Sequence, residues 1–122
     1  MFEKRQITIH SKVDDLPLSV LQYMPEGECK GIVQILHGMS EYKERYIPFM
    51  EFLAEQGYAV VIHDHRGHGK SVKSDADLGY MYEVGIKGFM SDVRVVNEYA
   101  RQLVPNVPLV VFGHSMGSMA AR

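Results

Sequence analysis

Gly113-His114-Ser115-Met116-Gly117 is the stretch best suited to chemistry, because it places a serine between two glycines in a G-x-S-x-G pattern. An apolar run at 109–112 precedes it, and small apolar residues of helical character follow it. This order predicts a strand that turns sharply into a helix, with the serine at the tip of a compact turn. The start of that helix favours developing negative charge. Ser115 is therefore predicted to be a nucleophile; the alternative is a tight turn without chemistry.

A second requirement of the same chemistry is met by His37-Gly38-Met39-Ser40-Glu41, which follows an apolar run. A serine that attacks a carbonyl carbon needs two hydrogen-bond donors for the oxyanion. One is the amide after the serine, and the other comes from this earlier loop. The backbone N–H groups of Met116 and Met39 are predicted to be these donors. The alternative is a turn at Gly38 that ends the strand, with His37 buried and hydrogen bonded.

The polar segment Asp64-His65-Arg66-Gly67-His68-Gly69-Lys70-Ser71 invites comparison with a phosphate-binding loop, because its last three residues copy the end of G-x-x-x-x-G-K-[ST]. Asp64 stands where that motif has its first glycine, and its carboxylate would repel phosphate. The sequence also predicts no helix directly after Ser71. Nucleotide binding is therefore not favoured.

Histidines in and next to the same segment raise the question of a metal site. His63 and His65 share a strand face and His68 follows, but no carboxylate or cysteine cluster accompanies them. We favour a turn without metal, braced near the site by side-chain hydrogen bonds of Asp64, Arg66 and the histidines.

The partners of a serine nucleophile in this kind of turn come in the chain order Ser, then Asp or Glu, then His. His114 precedes the serine and is not expected to reach its hydroxyl. Asp92 lies in a predicted helix and is expected to be an exposed or capping carboxylate. The acid and base should therefore follow Ser115.

Upstream of the serine, the periodicity of apolar residues predicts alternating strands and helices. Runs bounded by turn residues indicate strands, and apolar residues three and four positions apart indicate helices with one buried face. Strands are predicted at 6–10, 18–23, 31–36, 58–63 and 109–112, and helices at 46–56 and 89–103.

These elements define the fold class. The first two strands, separated by a short turn, predict an antiparallel hairpin. The later strands alternate with helices and predict parallel pairing with right-handed crossovers. The class is therefore α/β, a mostly parallel sheet with an antiparallel N-terminal hairpin and helices on both faces. Ligands bind beyond the carboxyl ends of such strands, where all three motifs fall.

Composition excludes several other classes of function. A net charge of −2 with 23% charged residues lacks the basic character of a nucleic-acid partner. No transmembrane segment or signal peptide is predicted. Cys29 is the only cysteine of the 122 residues, which favours a reducing, cytoplasmic location.

The chain stops at Arg122, inside a predicted helix without a capping residue. We therefore expect residues 1–122 to be the N-terminal portion of a single domain, completed by a further segment or a second chain.

The three motifs, in this order, resemble the α/β-hydrolase superfamily, and more narrowly the monoacylglycerol lipase and lysophospholipase group, also called serine aminopeptidase S33-like hydrolases. The resemblance runs from about the first strand to Arg122. It implies an eight-stranded sheet, a cap inserted later in the chain, and Ser–Asp–His chemistry on carboxylic esters, especially those of single-chain lipids. Ser115 matches the nucleophile, Met39 and Met116 match the oxyanion donors, and Gly113 and Gly117 match the glycines of the turn.

The expected function is that of a serine hydrolase that cleaves a lysophospholipid or monoacylglycerol ester through an acyl-enzyme, with no cofactor. The 122-residue chain alone is expected to be inactive, because the acid and base lie outside it. Two alternatives remain: a non-catalytic binding module with an incomplete hydrolase fold, and a peptidase or thioesterase of the same superfamily.

Overall fold

The structure, a computed structural model, describes residues 2–38, 41–83 and 85–114. Within them the strands are β1 (Phe2–His10), β2 (Pro17–Pro25), β3 (Gly31–Leu36), β4 (Tyr58–His63) and β5 (Leu109–Gly113). The helices are α1 (Ile47–Glu55) and α2 (Gly85–Arg101), with short 3-10 helices at Lys43–Tyr46 and Asp75–Asp77. The helix predicted after Ser115 lies outside the described residues.

One sheet contains these five strands in the order β1-β2-β4-β3-β5. β2 pairs antiparallel with both β1 and β4, whereas β3 pairs parallel with both β4 and β5. The predicted N-terminal hairpin and the predicted parallel strands are therefore confirmed. The position of β4 between β2 and β3 is a feature that the sequence pattern did not predict.

Helices cover both faces of the sheet, as predicted. Successive side chains of a strand point to opposite faces. In β4, Val61 packs in a cluster that includes Val96 of α2, while the adjacent Val60 packs in a cluster that includes Met50 of α1. The alternation along this central strand places α1 and α2 on opposite sides, and burial of both clusters provides the main hydrophobic stabilisation of the fold.

The helix boundaries differ modestly from the predicted ones. α1 agrees closely, and Gly57 follows it with a φ of +98°, a left-handed conformation that glycine adopts without strain. α2 begins at Gly85, ahead of the predicted start at Phe89. Its first turn carries the exposed residue Ile86, and the buried stripe of the helix begins at Gly88 and Phe89.

The parallel register of β3 with β4 and β5 brings the carboxyl ends of these strands to one edge of the sheet. The residues that follow the three strands are His37, Asp64 and His114. No helix in the described part of the chain combines the length and apolar character needed to cross a bilayer.

Candidate active site

The structure describes some of the predicted site residues and not others. Ser115, Met116, Gly117 and Met39 lie outside the described residues. The flanking residues of the two motifs are described, with Gly38 after β3 and His114 after β5. Their contacts establish how the two motifs approach each other.

Gly38 and His114 are in direct contact. The backbone N–H of His114 donates to the carbonyl oxygen of Leu36 at 3.1 Å. A Cβ atom added to Gly38 would lie 3.2 Å from the carbonyl oxygen of His114 and 2.8 Å from Oε1 of Glu41. The segment that leads into Met39 therefore lies against the segment that leads into Ser115, and a side chain at position 38 would require both neighbours to shift.

Glu41 joins several groups at this contact, although the sequence analysis gave it no role. Its Oε1 accepts hydrogen bonds from the backbone N–H of Gly38 at 2.6 Å and from the hydroxyl of Tyr46 at 2.8 Å. Nδ1 of His114 lies 3.4 Å from the same oxygen. Burial alone would raise the pKa of Glu41, but the hydrogen bonds from Tyr46, Gly38 and His114 outweigh it and lower the pKa.

His37 is fully buried and connects the loops that follow β3 and β4. Its Nε2 accepts a hydrogen bond from the backbone N–H of His65 at 3.0 Å. Nδ1 therefore carries the proton and donates to the carbonyl oxygen of Gly38 at 2.8 Å. In return, Nε2 of His65 donates to the carbonyl oxygen of His37 at 3.0 Å. Burial is the main cause that lowers the pKa of His37.

Asp64 is a buried acceptor for the loop that it opens. Its carboxylate accepts from the backbone N–H groups of Lys43 at 2.7 Å and Lys70 at 3.0 Å. The fully buried ammonium group of Lys43 donates to it as well, at 2.9 Å. The amide of Lys70, which a phosphate-binding loop would direct at an anion, is thus already used by this carboxylate.

Arg66 is a buried cation held by two carboxylates. Its guanidinium group donates to Asp92 at 2.6 and 3.1 Å, to Asp14 at 2.9 and 3.0 Å, and to the hydroxyl of Ser11 at 3.0 Å. Burial alone would lower the pKa of Arg66, but the bonds to Asp14 and Asp92 raise it. The hydrogen bond from Arg66 is also the main cause that lowers the pKa of Asp14.

The predicted position of Asp92 was wrong. It was expected to be exposed or to cap a helix, but only 1% of it is exposed and it forms a paired contact with Arg66. The signal was present, because Asp92 lies three residues after Phe89 and four before Val96, on the buried stripe of α2. A carboxylate on such a stripe requires a buried cationic or hydrogen-bonding partner.

The histidines around β4 are packed without ligating geometry. Among the described residues, no three histidine, cysteine, aspartate or glutamate side chains are arranged to hold a metal ion. The rings of His63 and His65 pack edge to face with centroids 4.9 Å apart. Burial lowers the pKa of His63 to about 3, and it is also the main cause that lowers the pKa of His65. These two side chains are therefore neutral at pH 7.

A cavity of about 360 Å³ lies beside His114. Phe49 of α1 and Phe112 of β5 form its aromatic part, with ring centroids 5.4 Å apart. Glu41 and Arg45 supply charged groups. The arrangement offers an apolar wall and polar groups next to the residue that precedes Ser115.

Comparison with known proteins gives a consistent result. The family model described as serine aminopeptidase, S33 matches residues 27–122. The monoacylglycerol lipase of Mycolicibacterium smegmatis is 33% identical over 95 residues, which are 78% of this chain and 32% of that protein. The monoglyceride lipase of Rattus norvegicus is 30% identical over 95 residues, 78% of this chain and 30% of that protein.

Among solved structures, a highly thermostable carboxyl esterase from Bacillus coagulans matches with a TM-score of 0.88 and 29% identity, over 99% of this chain and 39% of that chain. The chain spans about a third of the length of the curated relatives named above.

Proposed function

Because the chain belongs to the serine aminopeptidase S33 family and has an α/β-hydrolase fold, we propose that the full-length protein is a serine hydrolase that cleaves carboxylic esters, with Ser115 as nucleophile. The contact between Gly38 and His114 carries this proposal. It supports an arrangement in which the loop with Met39 lies beside the turn with Ser115, as oxyanion stabilisation requires.

The reaction proceeds through an acyl-enzyme. A histidine base takes the proton from the hydroxyl of Ser115, whose oxygen attacks the acyl carbon, and the backbone N–H groups of Met39 and Met116 bind the oxyanion. The ester C–O bond then breaks, and the histidine returns the proton to the leaving alcohol. The same histidine then takes a proton from water, whose oxygen attacks the acyl carbon; the bond from the acyl carbon to the serine oxygen breaks, the acid leaves, and the histidine returns the proton to Ser115. This histidine and its acid partner follow Ser115 in the chain order of the superfamily.

The bond between Gly38 and Glu41 supports the choice of Met39 as a donor. The N–H of Gly38 already donates to Oε1 of Glu41 at 2.6 Å, so it is not free to bind an oxyanion. Met39 supplies the next amide along the loop. A donor at this position takes the role that the earlier loop plays in this class of turn.

The proposed substrates are monoacylglycerols or lysophospholipids. Two of the relatives are named monoacylglycerol or monoglyceride lipase, and the matched esterase structure contains glycerol. The cavity beside His114 supports a substrate with apolar and polar parts, because aromatic rings and charged groups line it together. The cytoplasmic location stays a prediction, consistent with the single free thiol of Cys29 in these residues.

Labelling of the full-length protein with a fluorophosphonate tests the proposed nucleophile. We expect one adduct at Ser115, and we expect Ser115→Ala to abolish the adduct and lower kcat by about 10⁴-fold or more on a monoacylglycerol. The matched control is Ser74→Ala, which changes an exposed serine in the connection between β4 and α2 and should leave both readouts unchanged.

Other outcomes distinguish the alternatives. An unlabelled Ser115 in folded protein would reject the proposal. Binding of lipid esters without turnover, unaltered by Ser115→Ala, would indicate a binding module. Faster cleavage of aminoacyl amides or thioesters than of esters would indicate the peptidase or thioesterase alternative.

A further inference from the structure

We propose that Glu41 is a positioning residue of this site: its carboxylate fixes the distance between the oxyanion loop and the turn that carries Ser115. The inference rests on the proposed function and deepens it. It assigns a role to a residue that neither donates to the oxyanion nor transfers a proton.

A single oxygen atom of Glu41 contacts three different segments. Oε1 accepts from the N–H of Gly38 in the loop after β3 and from the hydroxyl of Tyr46 at the start of α1. The ring nitrogen Nδ1 of His114, after β5, lies 3.4 Å away. This oxygen therefore links Gly38 and His114, the described residues that directly precede Met39 and Ser115 in the chain.

The loop itself reinforces the position of the carboxylate. The backbone N–H of Glu41 donates to the carbonyl oxygen of Gly38 at 3.2 Å, so the two residues bond to each other in both directions. A Cβ on Gly38 would lie 2.8 Å from Oε1 of Glu41 and 3.3 Å from Nδ1 of His114, so the backbone of Gly38 packs closely against both side chains. Arg45, 3.8 Å from Glu41 and 57% exposed, adds only a weak pair, and the side chain of His114 is 61% exposed, so the bonds to Gly38 and Tyr46 are the strong ones.

The chemical consequence follows from the geometry of oxyanion stabilisation. Donors must lie at hydrogen-bond distance from the oxygen that becomes negative during the attack on the carbonyl group. A displacement of about 1 Å costs on the order of 10²-fold in rate. Without the carboxylate, Gly38 and Tyr46 lose their shared acceptor. The pairing of β3 with β5 and the bond from the N–H of His114 to the carbonyl oxygen of Leu36 still hold the strand ends, but the loop from Gly38 onward loses its side-chain link to His114. The loss should affect kcat more than KM, because the misplaced groups act in the transition state.

The test compares Glu41→Ala, Glu41→Gln and Tyr46→Phe in the full-length protein, with kcat and KM measured on a water-soluble acyl ester. We expect Glu41→Ala to lower kcat about 10²-fold and to change KM by less than about threefold. Glu41→Gln keeps an oxygen acceptor for Gly38 and Tyr46 and should recover kcat to within about tenfold of the wild type. Tyr46→Phe removes one donor and should lower kcat about three- to tenfold.

The matched control is Glu55→Ala, which removes an exposed carboxylate at the end of α1 and should leave kcat and KM unchanged. Thermal unfolding of each variant identifies any protein that does not fold. If Glu41→Ala does not fold, Tyr46→Phe tests the inference in its place. A lower kcat at unchanged KM supports the positioning role, and a wild-type kcat contradicts it.

Three results overturn the inference while leaving the nucleophile in place. The first is a wild-type kcat in Glu41→Ala, and the second is a kcat of Glu41→Gln as low as that of Glu41→Ala. The third is a change in Glu41→Ala that affects KM alone. In each case the protein is still labelled at Ser115. Absence of both ester turnover and labelling in the wild type rejects the proposed function instead, and the inference with it.

Discussion

At the residue scale, the buried arginine, lysine and aspartate side chains in the described part of the chain occur in oppositely charged pairs or larger groups. Arg66 is surrounded by the carboxylates of Asp14 and Asp92, and Lys43 is paired with Asp64. Removing one member of such a pair leaves a buried charge without its partner, which costs more than the pair itself contributes. These pairs join the hairpin turn, the loops after β3 and β4, and α2.

The ion pairs of Arg66 with Asp14 and Asp92 allow the loss of stability on removal of one charged partner to be measured. Asp92→Ala should lower the free energy of unfolding of the full-length protein by about 3 kcal/mol in urea titrations, the low end for a broken buried pair, because Arg66 keeps Asp14 as a partner. Asp75→Ala, which changes an exposed aspartate of a short 3-10 helix, should alter it by less than about 0.5 kcal/mol. A loss below about 1 kcal/mol for Asp92→Ala would contradict the assignment of a buried ion pair.

At the scale of elements, the end of β4 and the loop after it carry histidines that the fold keeps neutral. His63 ends the strand and has no hydrogen-bond partner for either ring nitrogen within the described residues, and the same holds for Nδ1 of His65. The folded protein disfavours their protonation, as the lowered pKa of His63, about 3, indicates. An unfolded histidine titrates near pH 6.5. The contribution of these neutral rings to the free energy of unfolding is therefore fully present above pH 6.5. It is lost as the pH falls towards the pKa of the histidine in the folded protein.

This pH dependence is testable between pH 7 and pH 5, where carboxylates contribute little. We expect the free energy of unfolding to decrease by about 2 kcal/mol for each histidine that stays neutral in the fold. His63→Leu should remove one such contribution and flatten the profile, whereas His10→Gln, at an exposed position of β1, should not. An unchanged profile in His63→Leu would contradict the burial of a neutral ring.

At the scale of the whole molecule, the two edges of the described sheet differ. β1 carries exposed charged residues at Glu3, Lys4 and Arg5, which discourage pairing with other strands. β5 carries Val110 and Phe112, which are 59% and 43% exposed. An exposed apolar strand at a sheet edge promotes association.

Residues 1–122 produced as a separate polypeptide should therefore self-associate through β5. In sedimentation velocity at micromolar concentration, Val110→Lys should shift the distribution towards monomer. Thr8→Lys, the equivalent change on β1, should have no effect. A monomeric wild-type polypeptide, or equal shifts in both variants, would reject association through this edge.

Much of the fold was predictable because it depends on local patterns. The spacing of apolar residues identified the strands, both helices and the hairpin, and the three motifs identified the superfamily that the family model and the matched structure confirm. The nucleophile and the oxyanion donors stay predictions, since Ser115, Met39 and Met116 lie outside the described residues.

The sequence by itself determined the order of elements, the parallel character of the later strands and the motifs at their carboxyl ends, because these depend on residues two to four positions apart. Only the tertiary structure decided that β4 lies between β2 and β3, that Asp92 is buried against Arg66, and that Glu41 meets His114. These contacts join residues 26 and 73 positions apart. Their physical basis is the burial of a charge or polar group against a partner that the packing of the sheet brings into reach, and no local periodicity encodes that partner.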